Sequence, residues 1–270
     1  MQASVAAWAL LCLIGSVPLT AQTSYREELS LGVQAYKEAR YEEAIRHFRN
    51  ATALDPQQEQ GHLYLATAYA QQYAPGVESP DNVQFAESAI AEYQKVLALN
   101  PQSMNSVKGM AFLYLNMKKF EDAKSFYRKA VRLDANDPEN YYSIGVIDWT
   151  EAYTRSMQLQ DSLKKRPEQT IIAAAECWDL RDANQATVKE GIELMVQAME
   201  LRPNYDDAMA YMNLLYRQKA EIDCSDPGAY DSDLRAADHW IDLVLSTRKA
   251  KMEKLGQEHP ESGNSPPKHQ

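Results

Sequence analysis

The chain has 270 residues, 24% of them charged, with 28 Lys plus Arg against 38 Asp plus Glu and a formal net charge of −10. That acidity argues against nucleic acid and against polybasic membrane-surface binding, which both draw on clustered Lys and Arg. With only 10 Gly, little is left for turn-rich β architecture or Gly-rich phosphate loops, so composition points to a helical protein that binds something else.

Residues 1–21 carry no charged side chain, and Arg26, Glu27 and Glu28 follow at once. The apolar stretch 5–17 is too short for a typical transmembrane helix and suits the apolar region of a secretory signal. Pro18 ends it, and Ala21 before Gln22 is the expected cleavage point. Cys12 lies behind Leu10 and Leu11, which makes it a poor lipid acceptor. The expectation is a periplasmic or secreted chain with no membrane insertion after cleavage. An uncleaved anchor is the alternative.

From residue 25 a pattern of small, aromatic, small and Pro positions recurs at offsets of four, three and five. It reads Ala44, Phe48, Ala51, Pro56, then Ala89, Tyr93, Val96, Pro101. It returns as Ala123, Tyr127, Ala130, Ala135 and as Gly191, Met195, Ala198, Pro203. Small residues let a neighbouring helix approach, the large residue fills the gap beside them, and Pro ends the segment. The runs YEEAIRHFRNATALDP, FAESAIAEYQKVLALNP and FEDAKSFYRKAVRLDAND have helical 3–4 spacing. Each is preceded by a first helix carrying Leu31-Gly32, Leu65-Ala66, Met110-Ala111 or Ile144-Gly145, and DDAMAYMNLLYRQKAE supplies a fifth. A last helix is expected over residues 233–249.

The starts of the pattern lie 45, 34 and 68 residues apart, so a 34-residue period is broken twice. About eleven extra residues at 72–82, containing Pro75, Gly76 and Pro80, read as a loop between the helices of repeat two. A further 34 at 151–185 lack the signature in the middle register. There the first helix of repeat four is expected to run on through EAYTRSMQLQDSLKK to end before Pro167, followed by a short helix over 170–179.

These residues resemble the tetratricopeptide-repeat (TPR) family, exported bacterial type, over about residues 25–220. The resemblance implies an all-α solenoid of about five helix pairs with a helical insertion in the fourth, spanning 22–250. It departs from the family at Ala135, which replaces Pro, and at Gly191, which replaces Ala. In this family the first helix of each pair lines a concave groove that takes protein partners. Carried over by register, the groove positions include Tyr36, Leu63, Lys108, Phe112, Tyr142, Trp149 and Arg217. Lys108 lacks the partners with which some relatives grip a C-terminal carboxylate. The rings suit an extended or helical peptide with apolar anchors, unless the insertion beside Trp149 folds over them.

Removal of Cys12 leaves Cys177 and Cys224, an even number for an oxidising compartment. A disulfide between them is favoured over two separate buried thiols. Catalytic and metal patterns are missing: there is no HExxH, no Cys-x-x-Cys, no G-x-S-x-G and no phosphate loop. His47 and His62 read as packing or surface residues. The acidic run Glu221, Asp223, Asp226, Asp231, Asp233 lacks calcium-loop spacing. Asp226-Pro227-Gly228 reads as a turn, and Asp231 or Asp233 as a helix cap. The tail at 251–270 is polar and expected to be disordered. The reading is therefore a non-enzymatic, cofactor-free interaction scaffold or assembly adaptor. The alternative is a regulatory or substrate-presenting subunit of a cell-envelope enzyme complex.

Overall fold

In the computed structural model, which describes residues 24–164 and 175–258, the repeat pattern becomes helix pairs joined by two recurring turns. The first pair is α1 (Tyr25–Lys37) and α2 (Tyr41–Leu54), the second α3 (Glu59–Gln72) and α4 (Pro80–Leu99). The third is α5 (Met104–Asn116) and α6 (Phe120–Leu133), the fourth α7 (Pro138–Ser162) and α8 (Cys177–Leu201). The last is α9 (Asp206–Glu221) and α10 (Pro227–Glu258). The expected signal segment lies outside the described residues. Among the described residues no helix is long and apolar enough to cross a membrane.

The turn inside a pair is the same in repeats one and three. Ala39 and Lys118 both sit at φ 58°. The next amide reaches back to an equivalent carbonyl, Arg40 N–H to Ala35 at 2.9 Å and Lys119 N–H to Tyr114 at 2.8 Å. The turn between pairs depends on an Asp or Asn side chain that accepts from the amide two residues on. Asp55 takes Gln57 at 3.2 Å, Asn100 takes Gln102 at 3.1 Å and Asp134 takes Asn136 at 3.0 Å. This explains why Ala135 can stand where the other repeats have Pro: the Asp134 carboxylate already closes the bend.

Inside each pair, small residues face large ones. A β-carbon added at Gly32 would lie 2.5 Å from the Phe48 ring, and one at Gly145 would lie 2.7 Å from the Met195 methyl. Ala44, Ala51, Ala89, Ala123, Ala130 and Ala198 are fully buried. The two sequence-flagged histidines join helices. His47 Nδ1 is 2.7 Å from Glu28, and His62 has Glu92 at 2.6 Å on one nitrogen and the Pro56 carbonyl at 3.1 Å on the other.

The first insertion is a loop, as its Pro and Gly imply. Asn82, in the first turn of α4, pins it by accepting from Ala74 N–H (2.7 Å) and donating to the carbonyls of Ala74 (2.9 Å) and Val77 (2.7 Å). The second insertion lengthens both helices of the fourth pair to 25 residues each. Of the short helix expected over 170–179, the described helical part belongs to α8. Residues 170–174 lie outside the described residues, and Cys177, Trp178 and Asp179 form the first turn of α8. The buried face Cys177, Leu180, Asn184, Val188, Gly191 continues without interruption, so nothing ends the helix there. Asn184, buried on α8, donates to the Ala152 carbonyl of α7 (3.0 Å) and accepts from Arg155 (3.1 Å). Ser156 donates to Gln218 of α9 at 2.8 Å, and Cys177 is disulfide-bonded to Cys224.

Two further boundaries differ from the sequence expectation. α10 starts at Pro227, not near 233, because Asp226 caps it by accepting from Ala229 N–H (3.0 Å) with Pro at the first helical position. Asp231 and Asp233 therefore lie inside the helix. α10 also runs to Glu258, through the first part of the segment expected to be disordered.

One ion cluster is sealed between α6 and α7. Lys124, 7% exposed, donates to Asp148 at 2.9 Å and to Glu151 at 3.1 Å, and the Asp148 side chain has no solvent exposure. Burial pushes the Asp148 carboxyl up to about 7, with the Lys124 ammonium pulling the other way. A carboxyl raised in the folded state favours folding most at low pH and loses that contribution as pH rises through about 7. Lys124→Met leaves Asp148 buried without its cation, so at pH 8 it should cost about 3 kcal/mol in urea unfolding. At pH 5 the loss should be clearly smaller, because Asp148 then takes a proton. Equal losses at both pH values would contradict this account.

Candidate groove

α2, α4, α6 and α8 each pack against the first helices on either side, whereas first helices also touch one another, α1 with α3, α3 with α5 and α7 with α9. The first helices are therefore the more closely spaced layer and form the inner wall of the curve. The sequence-selected positions fall on this wall, in three different settings.

At the amino-terminal end Tyr36 and Leu63 come together. They line a cavity of about 560 Å³ with Val33, Phe48 and Tyr64, and Lys37, Thr67 and Asn105 are its polar members. Tyr36 stands edge-on to Tyr41 with centroids 5.3 Å apart, and Phe48 leans on Tyr64 at 5.6 Å. Burial raises the Tyr36 phenol above its ordinary value, so the ring is neutral at any physiological pH. The Thr67 hydroxyl is taken up by the Leu63 carbonyl at 2.8 Å. Lys37 remains exposed at the rim. Such a pocket suits an apolar side chain with a polar or anionic neighbour.

At the carboxy-terminal end Tyr142 and Trp149 belong to a band of rings across α7 and α9. Tyr142 lies 5.1 Å from Tyr205 and 5.6 Å from Tyr211. Trp149 stacks on Tyr153 at 5.2 Å and meets the edge of Tyr211 at 5.4 Å. Burial and its neighbours push the Tyr142 phenol well above the ordinary range. Burial, and then the Glu139 carboxylate that Tyr205 donates to at 2.8 Å, do the same for Tyr205. The described part of the insertion runs on along α7 and α8 beside this band, with Tyr153 as its nearest ring.

The other three positions stay apart. Phe112 is 52% exposed. Lys108 pairs with Asp137, the cap of α7, and Arg217 pairs with Asp238 of α10 at 2.9 Å. Both cations therefore have internal partners. In the acidic run, Lys219 takes Asp233 at 2.5 Å, and burial together with the facing Asp233 raises Asp223 to about 6. Among the described residues no group of His, Cys, Asp and Glu is arranged to hold a metal ion.

Tyr64, Asn105, Tyr153, Tyr205 and Tyr211 were not picked out by register. Tyr153 had a signal, since it follows Trp149 by one helical turn. Tyr64 had none, because it lies beside the hallmark position, where side chains ordinarily turn into the pair.

A tetratricopeptide-repeat family model matches residues 86–144, and no curated protein sequence matches the chain. Among solved structures, MamA aligns with 14% identity over 90% of this chain and 98% of its own, at a TM-score of 0.57. MamA from Desulfovibrio magneticus RS-1, from residue 41 to the end, aligns with 15% identity over 84% of this chain and 96% of its own, at 0.57. YrrB, described as a TPR protein with an unusual peptide-binding site, aligns with 13% identity over 86% of this chain and 90% of its own, at 0.53. The chain has the fold of tetratricopeptide-repeat proteins.

The aromatic band makes one prediction. A phenol held neutral by folding ionises first in the unfolded chain, so stability falls as pH rises past the ordinary value of 10.0. Tyr142→Phe keeps the ring and removes that loss. The alkaline unfolding midpoint should move to higher pH, with Tm at pH 7 little changed; an unmoved midpoint would count against burial of this phenol.

Proposed function

We propose that this tetratricopeptide-repeat protein is an exported interaction scaffold or assembly adaptor that binds a protein or peptide partner along its first-helix groove. The observation that carries the reading is the apolar cavity between α1 and α3, where Tyr36 and Leu63, chosen by register, meet Val33, Phe48 and Tyr64. Its volume is within the range of about 300 to 1,000 Å³ typical of ligand pockets. Rigid rings and aliphatic side chains give affinity at low entropic cost. The exposed ring of Phe112 and the α7–α9 band lie farther along the same wall, so a segment with several apolar anchors fits better than a small molecule. A structural relative described as having a peptide-binding site points the same way.

Export is supported by the uncharged, apolar stretch at the start of the chain and by the pairing of Cys177 with Cys224. Disulfides persist in oxidising compartments and are rare where thiols are kept reduced.

The test combines capture with processing. Proteins retained by the purified chain from an envelope fraction are identified by mass spectrometry, and the affinity of the retained partner is then measured. Tyr36→Ala with Leu63→Ala should weaken it by roughly thirtyfold, the loss of about 2 kcal/mol expected of a hot spot. Trp149→Ala tests the second band separately. Unchanged capture by all these variants would sink the groove reading. The mass of the protein recovered from cells should show a start at Gln22 and no thiol open to alkylation without reductant.

A further inference from the structure

α2, α4, α6 and α8 each pack on the first helix of their own pair and on the first helix of the next. α10 is covered on one side only among the described residues. Its inner face is set by Asp233, Ala237 and Val244, all buried, with Thr247 reaching Met209 and Arg248 and Lys251 holding Asp206 at the start of α9. Beside that face runs a bare stripe: Ile241 is 39% exposed, Leu245 62%, Met252 73% and Leu255 58%. Their spacing of four, seven and three places them on one side of the helix. The end of a solenoid is ordinarily polar on its outer face. Residues 259–270, HPESGNSPPKHQ, contain no aliphatic or aromatic side chain larger than Pro and His with which to cover the stripe.

We propose that the occupant is a second copy of this chain, its α10 lying antiparallel across a two-fold axis. The charge along the helix supports this occupant. Asp231, Arg235 and Asp242 are exposed in the amino-terminal half, where Asp233 and Asp238 are held by Lys219 and Arg217, and Lys249 is exposed in the carboxy-terminal half, where Arg248 and Lys251 are held by Asp206. Reversing one helix on the other turns the exposed Asp242 toward the basic position of the other copy, whereas a parallel arrangement would set Asp242 on Asp242 and Lys249 on Lys249. The same reversal brings Ile241 against Met252 of the second copy and Asp242 beside its Lys249. Each contact is then made twice, as an isologous interface requires. Because α10 is a second helix, the first-helix wall stays open in both copies, and the dimer presents two grooves to a partner.

The test is the mass of the purified chain by sedimentation equilibrium, from low to high micromolar concentration. The expected result is a monomer–dimer equilibrium. Leu245→Asp, and separately Met252→Asp, should return the monomer mass with unchanged helical content and the Tm of the dilute wild-type monomer, since both side chains are solvated in the single chain. Asp242→Lys should weaken dimerisation by roughly fivefold or more, and adding Lys249→Asp should restore it. A wild-type chain that stays monomeric throughout overturns the proposal. So does a dimer or larger assembly that both apolar-to-Asp variants leave intact.

Discussion

The fold depends on one steric relation, a small residue on one helix facing a large one on its partner. Gly32 with Phe48 and Gly145 with Met195 inside pairs, and Gly109 with Tyr93 between two pairs, leave no room for a β-carbon without displacement of the large side chain. Where the small residue is Ala, as at Ala44, Ala123 and Ala198, the methyl is completely buried. Close approach brings the pair into dispersion contact along its length, and this relation, repeated at a fixed period, fixes how far apart successive first helices stand. Groove, cavity and ring band are all consequences of that spacing. The polar elements work differently: Asp55, Asn100 and Asp134 bend the chain between pairs, and the Lys124 cluster fixes how α7 lies on α6.

Much of this was legible because it is local or periodic. The small–large–small pattern marked the helix pairs. The run EAYTRSMQLQDSLKK, expected to continue the helix toward Pro167, marked the lengthening of α7, and Pro75, Gly76 and Pro80 marked the first loop. The boundaries that differed turned on choices periodicity does not encode. Asp226, Asp231 and Asp233 are all acceptable caps by residue type, and the one used is the one followed by Pro. The stretch 170–179 read as a short separate helix, but from Cys177 the buried face is in phase with Val188 and Gly191, and that phase shows only against α7 and α9.

For the groove, register placed residues on the first-helix wall but did not say what each side chain would meet. Tyr36 and Leu63 share a cavity because Phe48 of α2 and Tyr64 of α3 also line it. Lys108 and Arg217 are turned to Asp137 and Asp238, partners 29 and 21 residues away. An ion pair across helices leaves no trace in the spacing of either residue. The ring band was half visible: Tyr142 and Trp149 follow the α7 face, while Tyr211 belongs to α9 and is joined to them only by packing.

The disulfide has a mechanical consequence. Cys177 opens α8 and Cys224 follows α9, so the bond joins points 47 residues apart in sequence and spans both helices. When the ends of the chain are pulled, tension passes from the start of α8 directly across the sulfur atoms to the start of α10. The bypassed stretch bears no force and cannot lengthen, which removes roughly 160 Å of contour at full extension. The amino-terminal pairs have no such shunt and can unravel one after another like a spring. The bond therefore sets an inextensible block of α8 and α9 between two parts that can lengthen, and a partner seated near Tyr36 is held by one of the parts that can yield.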